Sequence, residues 1–176
     1  MYIWLVYLIF FLGPPIFNHA GWRQWIFTGL GLAAFLIFYF GCFYAPKVWK
    51  HVCVAGILSL GVLFAPSNGG AAAFFIYTAS FIPFLGETEL GAALLIGGVV
   101  AIAALESWWL HISNGFAFPA IFLSTFIGAG NIYFAQRARH AETMRRAHQE
   151  LENLAKVAER ERIARDLHDV LGIRFP

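Results

Sequence analysis

Trp25-Ile26-Phe27-Thr28-Gly29-Leu30-Gly31-Leu32-Ala33-Ala34-Phe35-Leu36-Ile37-Phe38-Tyr39-Phe40-Gly41-Cys42-Phe43 contains no charged side chain. A helix needs about 20 apolar residues to cross the hydrocarbon of a bilayer, with about 17 tolerated, and this run is long enough. Reading outward, the candidate spans are Tyr2–Phe17, Trp25–Phe43, Val52–Ala65, Ala71–Leu85, Leu90–Leu105 and Phe116–Ala135. Turn-forming clusters separate them: Asn18-His19-Ala20-Gly21, Ala45-Pro46-Lys47, Pro66-Ser67-Asn68-Gly69-Gly70, Gly86-Glu87-Thr88-Glu89 and Ser113-Asn114-Gly115. The third and fourth runs are short, so five spans with one re-entrant or fused segment is an open alternative to six.

Charge divides the chain in two. Overall 60% of residues are hydrophobic and 12% charged, with a mean hydropathy of +0.68, far from the composition of a soluble domain. Residues 1–135 hold six charged side chains (Arg23, Lys47, Lys50, Glu87, Glu89 and Glu106), whereas residues 136–176 hold sixteen. The expected organisation is a transmembrane domain over 1–135 with a polar helix attached. The arginines after 136 alternate with glutamates, so no basic arm suits nucleic acid. Cys42 and Cys53 suggest buried, inert thiols, with no disulfide framework and no metal site. With no basic residue ahead of the first run and no A-x-A-like site after it, the first span reads as uncleaved.

Orientation follows from the cations. Lys47 and Lys50 lie between spans two and three, and Arg137, Arg139, Arg145 and Arg146 follow span six. With six spans these share one face, which the positive-inside rule makes cytoplasmic, with Arg23 opposite. The expected location is the cytoplasmic (inner) membrane, multi-pass, with the C-terminus inside. Trp22, Trp25, Trp49, Trp108 and Trp109 sit near span boundaries, where interfacial anchoring accounts for them; an aromatic cage for a small cation is the alternative. Pro14-Pro15 and Pro83 should kink their helices by removing backbone hydrogen bonds. A kinked first helix with Asn18 and His19 drawing water inward would tilt with bilayer thickness; simple shape is the alternative.

From Asn131 to Leu171 there is no proline or glycine, so span six should continue as one helix, about 60 Å long at 1.5 Å per residue. Glu142/Arg146, Glu152/Lys156 and Glu161/Arg165 have the favourable i,i+4 orientation. Met144, Ala147, Leu151, Leu154 and Ala158 recur at 3-4-3-4 spacing over the linker 136–158, a narrow coiled-coil seam that asks for a partner helix, most simply a second copy of the chain. The next apolar row is Ile163, Leu167 and Val170, five residues on. Two competing registers are one reading of that break; an ordinary irregular linker is the other.

The last part of this helix carries chemistry. In Glu159-Arg160-Glu161-Arg162-Ile163-Ala164-Arg165-Asp166-Leu167-His168-Asp169-Val170-Leu171-Gly172, an imidazole that titrates near neutrality can be a nucleophile, and an adjacent carboxylate can take its proton. Ile163, Leu167 and Val170 would face the partner, leaving His168 toward solvent. Arg162 and Arg165 could offset phosphate charge or simply pair with Glu159, Glu161 or Asp166. The fourteen residues resemble the phosphoacceptor motif of a sensor histidine kinase subgroup, E-R-x-R-I-A-R-[ED]-L-H-D-x-x-G, without a break. The resemblance implies that His168 is phosphorylated from ATP and passes the group to an aspartate of a response regulator, with Asp169 as general base. ATP and Mg²⁺ would then be held by a separate catalytic domain, because no Gly-rich nucleotide loop or asparagine box stands in this chain.

The short spans, the Arg-rich exit and the acceptor motif together are similar to DesK-type membrane sensor histidine kinases of two-component systems; the stretches from Phe75 to Leu85 and from Asn131 to Ala135 also fit. The resemblance implies sensing of lipid order inside the bilayer, a homodimer, and membrane lipids and a response regulator as partners. Position 173, where the group commonly has Gln or His for dephosphorylating the regulator, is Ile173, and Pro176 would break the helix. The stretch 159–176 therefore reads as the start of a dimerisation and phosphoacceptor domain, and the chain by itself is expected to lack kinase activity. The expected fold class is all-α: a polytopic transmembrane helical domain of five or six spans continuing into a cytoplasmic coiled-coil dimerisation helix. A non-catalytic membrane dimerisation or regulatory fragment is the alternative function. A small transporter would need ionisable residues lining a path, and Glu106, at a boundary, is the one candidate.

Overall fold

The computed structural model describes the backbone of residues 2–17, 21–112 and 114–172, and the side chains of these except 2–4, 114 and 168–172. Asn18, His19, Ile173 and Pro176 lie outside the described residues. Every regular element among the described residues is helical. A 3-10 turn at Tyr2–Tyr7 leads into α1 (Leu8–Phe17), followed by α2 (Trp22–Tyr44), α3 (Lys47–Phe64), α4 (Ala72–Phe81), α5 (Glu89–Trp109), α6 (Asn114–Phe118) and α7 (Ser124–Gly172). Short 3-10 turns at Gly69–Ala71 and Ile82–Phe84 flank α4, and a π-helical turn, Pro119–Leu123, joins α6 to α7. The chain divides into two compact units, Met1–Ala135 and Gln136–Pro176.

Four helical stretches are long and apolar enough to cross a membrane: Trp22–Tyr44, Lys47–Phe64, Glu89–Trp109 and one within Gly115–Leu167. Leu5–Phe17 and Gly69–Phe84 are apolar but shorter. The short pair is thus the first and fourth segments rather than the third and fourth. The third gains a turn because α3 takes in Lys47 and Lys50, which stand before the span expected from hydropathy; Lys47, exposed at the helix start, carries its charge outward on an apolar stem. Leu30, Ile37, Leu63, Leu94 and Phe126 point outward, each more than 60% exposed. Apolar side chains turned outward on several helices at once belong to a lipid-facing surface.

Inside the first unit, α4 is the central helix. Ala72 through Ala79 are buried on every side, as expected for a helix apolar all round. The interior is aromatic: the Phe74 ring lies 4.6 Å from Phe11 and 5.3 Å from Phe35, and Tyr77 lies 4.7 Å from Phe35 and 5.8 Å from Tyr39. Such offset and edge-on pairs contribute about 0.5–1.5 kcal/mol each beyond area burial. Gly61 makes room for this packing, since a Cβ there would fall 2.9 Å from the Phe75 ring. The boundary tryptophans Trp22, Trp49, Trp108 and Trp109 are exposed, and Trp22 carries the Arg23 guanidinium 5.7 Å from its ring centroid.

The prolines act differently from simple kinks. Pro14 and Pro15 lie inside α1, so the carbonyls of Phe10 and Phe11 lose the N–H groups that would meet them four residues on. The buried Asn68 amide donates to the Phe11 carbonyl at 3.0 Å, while its own oxygen accepts from the Gly70 N–H at 2.9 Å. The Phe10 carbonyl meets Gly70 so closely that a Cβ there would overlap it. Pro83 ends its helix instead of bending it: α4 stops at Phe81 and tightens into the 3-10 turn. Ser80, in that last turn, has its carbonyl satisfied by Asn131 Nδ2 at 3.1 Å. Pro119, inside the expected sixth span, accounts for the π turn, as an absent N–H lets the helix widen locally.

Candidate functional site

Helix α7 runs without interruption over 49 residues. Its polar part starts from residues with strong helix preference and no breaker, and passes through the whole segment Glu159–Gly172 in α-helical form. The five-residue step between Ala158 and Ile163 therefore leaves the backbone regular and only moves the apolar row around the helix. The seam residues are exposed along their length: Met144 by 74%, Leu151 by 65%, Leu154 by 62%, Ile163 by 48% and Leu167 by 55%. Val157, off the seam, is uncovered as well.

The ion pairs follow the expected spacing only in part. Arg146 Nε donates to Glu142 Oε1 at 3.0 Å, as the i,i+4 rule anticipates. Glu152 instead meets His148 Nε2, at 3.3 Å, which leaves Lys156 without it. Arg162 reaches back three residues to Glu159 at 2.8 Å. Of the two arginines proposed to support a phosphate, Arg162 is thus engaged by a carboxylate. Arg165 is exposed and has no ion-pair partner among the described residues. All three pairs are largely solvated, and exposed pairs of this kind contribute little, about 0.3–0.5 kcal/mol. His168 and Asp169 stand on helical backbone, and their side chains lie outside the described ones.

No group of three or more His, Cys, Asp or Glu that could hold a metal occurs among the described residues. In the first unit, Cys42 is a buried free thiol and Cys53 a half-buried one. Glu106, in the last turn of α5, has Oε2 buried with no hydrogen-bond partner among the described residues. Asn68 and Asn131, the two amides that satisfy proline-released or end-of-helix carbonyls, carried no sign of that role in their own neighbourhoods. The available signal was indirect: each proline inside an apolar run frees an acceptor that some donor must meet in a medium without water.

Helix ends in the first unit gather at two places. His51 Nε2, in α3, lies 3.4 Å from Glu87 Oε1 in the loop before α5, and Lys47 lies over Gly86. At the other, Asn68 and Gly70 meet α1, Gly69 meets Phe116, and the Phe75 and Phe116 rings lie 5.7 Å apart. Searched against family models, curated proteins and solved structures, the chain matches none.

Proposed function

We propose that this chain is the membrane-sensing half, with phosphoacceptor, of a two-component sensor histidine kinase. The observation that carries the reading is the single helix α7, which begins in the apolar unit and includes the fourteen residues from Glu159 to Gly172. In this reading a ring nitrogen of His168 takes the phosphoryl group, Asp169 holds or accepts the proton of the other nitrogen, and the group then passes to a regulator's aspartate. Nucleotide and metal are supplied by a catalytic domain. A second copy of the chain covers the exposed row from Met144 to Ala158.

The gathering of loop ends supports six traverses with both termini inside. Lys47 and His51 share an end with Gly86 and Glu87, and Asn68 to Gly70 share the other with Phe116. That is the alternation a chain crossing six times requires. The segment Gly69–Phe84 traverses despite its length, because its two 3-10 turns rise about 2 Å per residue. Lys47 and Lys50 then fall on the cytoplasmic side with the arginines after 136. Membrane thickness acting on the short first segment is the stimulus this architecture favours.

The test is to reconstitute the chain in bilayers, add the ATP-binding domain of a histidine kinase of this subgroup and labelled ATP, and look for acid-labile, base-stable label. Label on the wild type and none on His168→Gln supports the reading. The exposed seam equally suits a non-catalytic dimerisation fragment; dimers that take no label with any such domain would favour that function.

A further inference from the structure

A cavity of about 340 Å³ opens within the first unit, between α2, α3, α4 and the start of α7. Phe43, Phe81 and Phe84 form much of its apolar wall, and Lys50 and Asn131 line it as well. Its size lies at the lower end of small-molecule sites, about 300–1,000 Å³, too small for a folded partner and suited to a narrow chain. The wall is not apolar throughout. Lys50 is half-buried and has no hydrogen-bond or ion-pair partner among the described residues. Its ammonium is near enough to Cys42 to act on it electrostatically. Glu87, the carboxylate of the neighbouring loop, is taken by His51.

A lysine on a cavity wall without a counter-charge is suited to an anion. Asn131 supplies a second donor: an amide NH₂ has two protons, and one is used on the Ser80 carbonyl. The first turn of α3, where Lys50 sits, adds the positive end of a helix dipole. We infer that this cavity binds an anionic amphiphile from the bilayer. Its carboxylate or phosphate head meets Lys50 and the free Asn131 proton, and one alkyl chain lies along Phe43, Phe81 and Phe84. Because the Asn131 amide serves both the Ser80 carbonyl and the ligand head, occupancy fixes how α7 is held against the end of α4.

The inference concerns binding alone and stands or falls independently of any phosphoryl transfer. The full chain is reconstituted in phosphatidylcholine nanodiscs and photolabelled with a diazirine analogue of palmitate, and the labelled peptides are mapped by mass spectrometry. Label is expected on peptides containing Phe43, Phe81 or Phe84. Lys50→Gln should lower it about tenfold, the size expected from losing one charge-assisted hydrogen bond, while Lys50→Arg retains it. Asn131→Ala, which keeps Lys50, should lower it severalfold and serves if the glutamine variant does not assemble. Competition by palmitate or by phosphatidylglycerol names the source, a free fatty acid or an anionic lipid. Unchanged labelling in Lys50→Gln and Asn131→Ala overturns the inference. So does equal competition by hexadecanol, which has no charge, or by inorganic phosphate, which has no chain.

Discussion

Asn68 donates to the Phe11 carbonyl at 3.0 Å, the acceptor that Pro15, four residues farther on, has no N–H to reach. A side chain from the approach to α4 thus completes a hydrogen bond that α1 cannot make for itself. The two residues are linked through one oxygen atom, and that linkage gives a double-mutant test.

Asn68→Leu should destabilise the protein by about 1–3 kcal/mol, the range for leaving a buried acceptor unmet. In a Pro15→Ala background, residue 15 again has an N–H for Phe11, and the same substitution should cost less. Denaturant titration of the four proteins in detergent checks this. Strictly additive losses would mean that the Phe11 carbonyl is not the shared term.

Gly70→Ala should be among the most damaging small changes in the chain, about 3 kcal/mol or a loss of folded yield, because the added methyl meets backbone rather than a movable side chain. Gly97→Ala and Gly98→Ala, in α5 with open space at the Cβ position, should be neutral or stabilise by up to about 1 kcal/mol. Thermal unfolding in detergent separates the two outcomes.

The helical architecture was legible because lipid leaves few choices: long uncharged runs must be helices, and the four longest segments follow from composition. The ends of α3 and α4 were not, since charge count placed Lys47 and Lys50 outside and nothing local showed that α4 would be surrounded. Pro119 leaves no mark in hydropathy, although it interrupts hydrogen bonding. Of the ion pairs, Glu142/Arg146 follows i,i+4 spacing and Arg162 takes Glu159, one of the carboxylates the sequence offers it, whereas Glu152 meets His148 instead of Lys156, as flexible solvated side chains with nearly equal options do. His168 stands out through the pattern of residue types around it, which backbone geometry neither adds to nor removes.

Single cysteines at Met144, Leu151 and Leu154, in a background with Cys42 and Cys53 changed to Ser, should crosslink between copies in native membranes, while one at Gln149 should not. Leu151→Glu with Leu154→Glu should abolish the crosslink formed through position 144. Equal crosslinking at all positions would show a helix without a fixed face.

Arg162→Ala should change His168 labelling, in the reconstituted assay, by less than about threefold, since the guanidinium is engaged by Glu159 in an exposed pair of small energy. Arg165→Ala should lower it more. Quantified initial rates for both variants check the order, and the reverse order would assign the phosphate-facing role to Arg162.

Asn68 also restricts what substitution can accomplish at its position. It presents a proton donor to one backbone strand and an acceptor to another from a stem of one methylene. Aspartate would set two oxygens of like polarity against the Phe11 carbonyl, serine is too short to serve both at once, and glutamine carries its amide one methylene farther from both partners. A position that hydropathy places in an ordinary polar connection is therefore among the least replaceable in the molecule. Tolerance to mutation here should track the chain's unmet carbonyls rather than its loops.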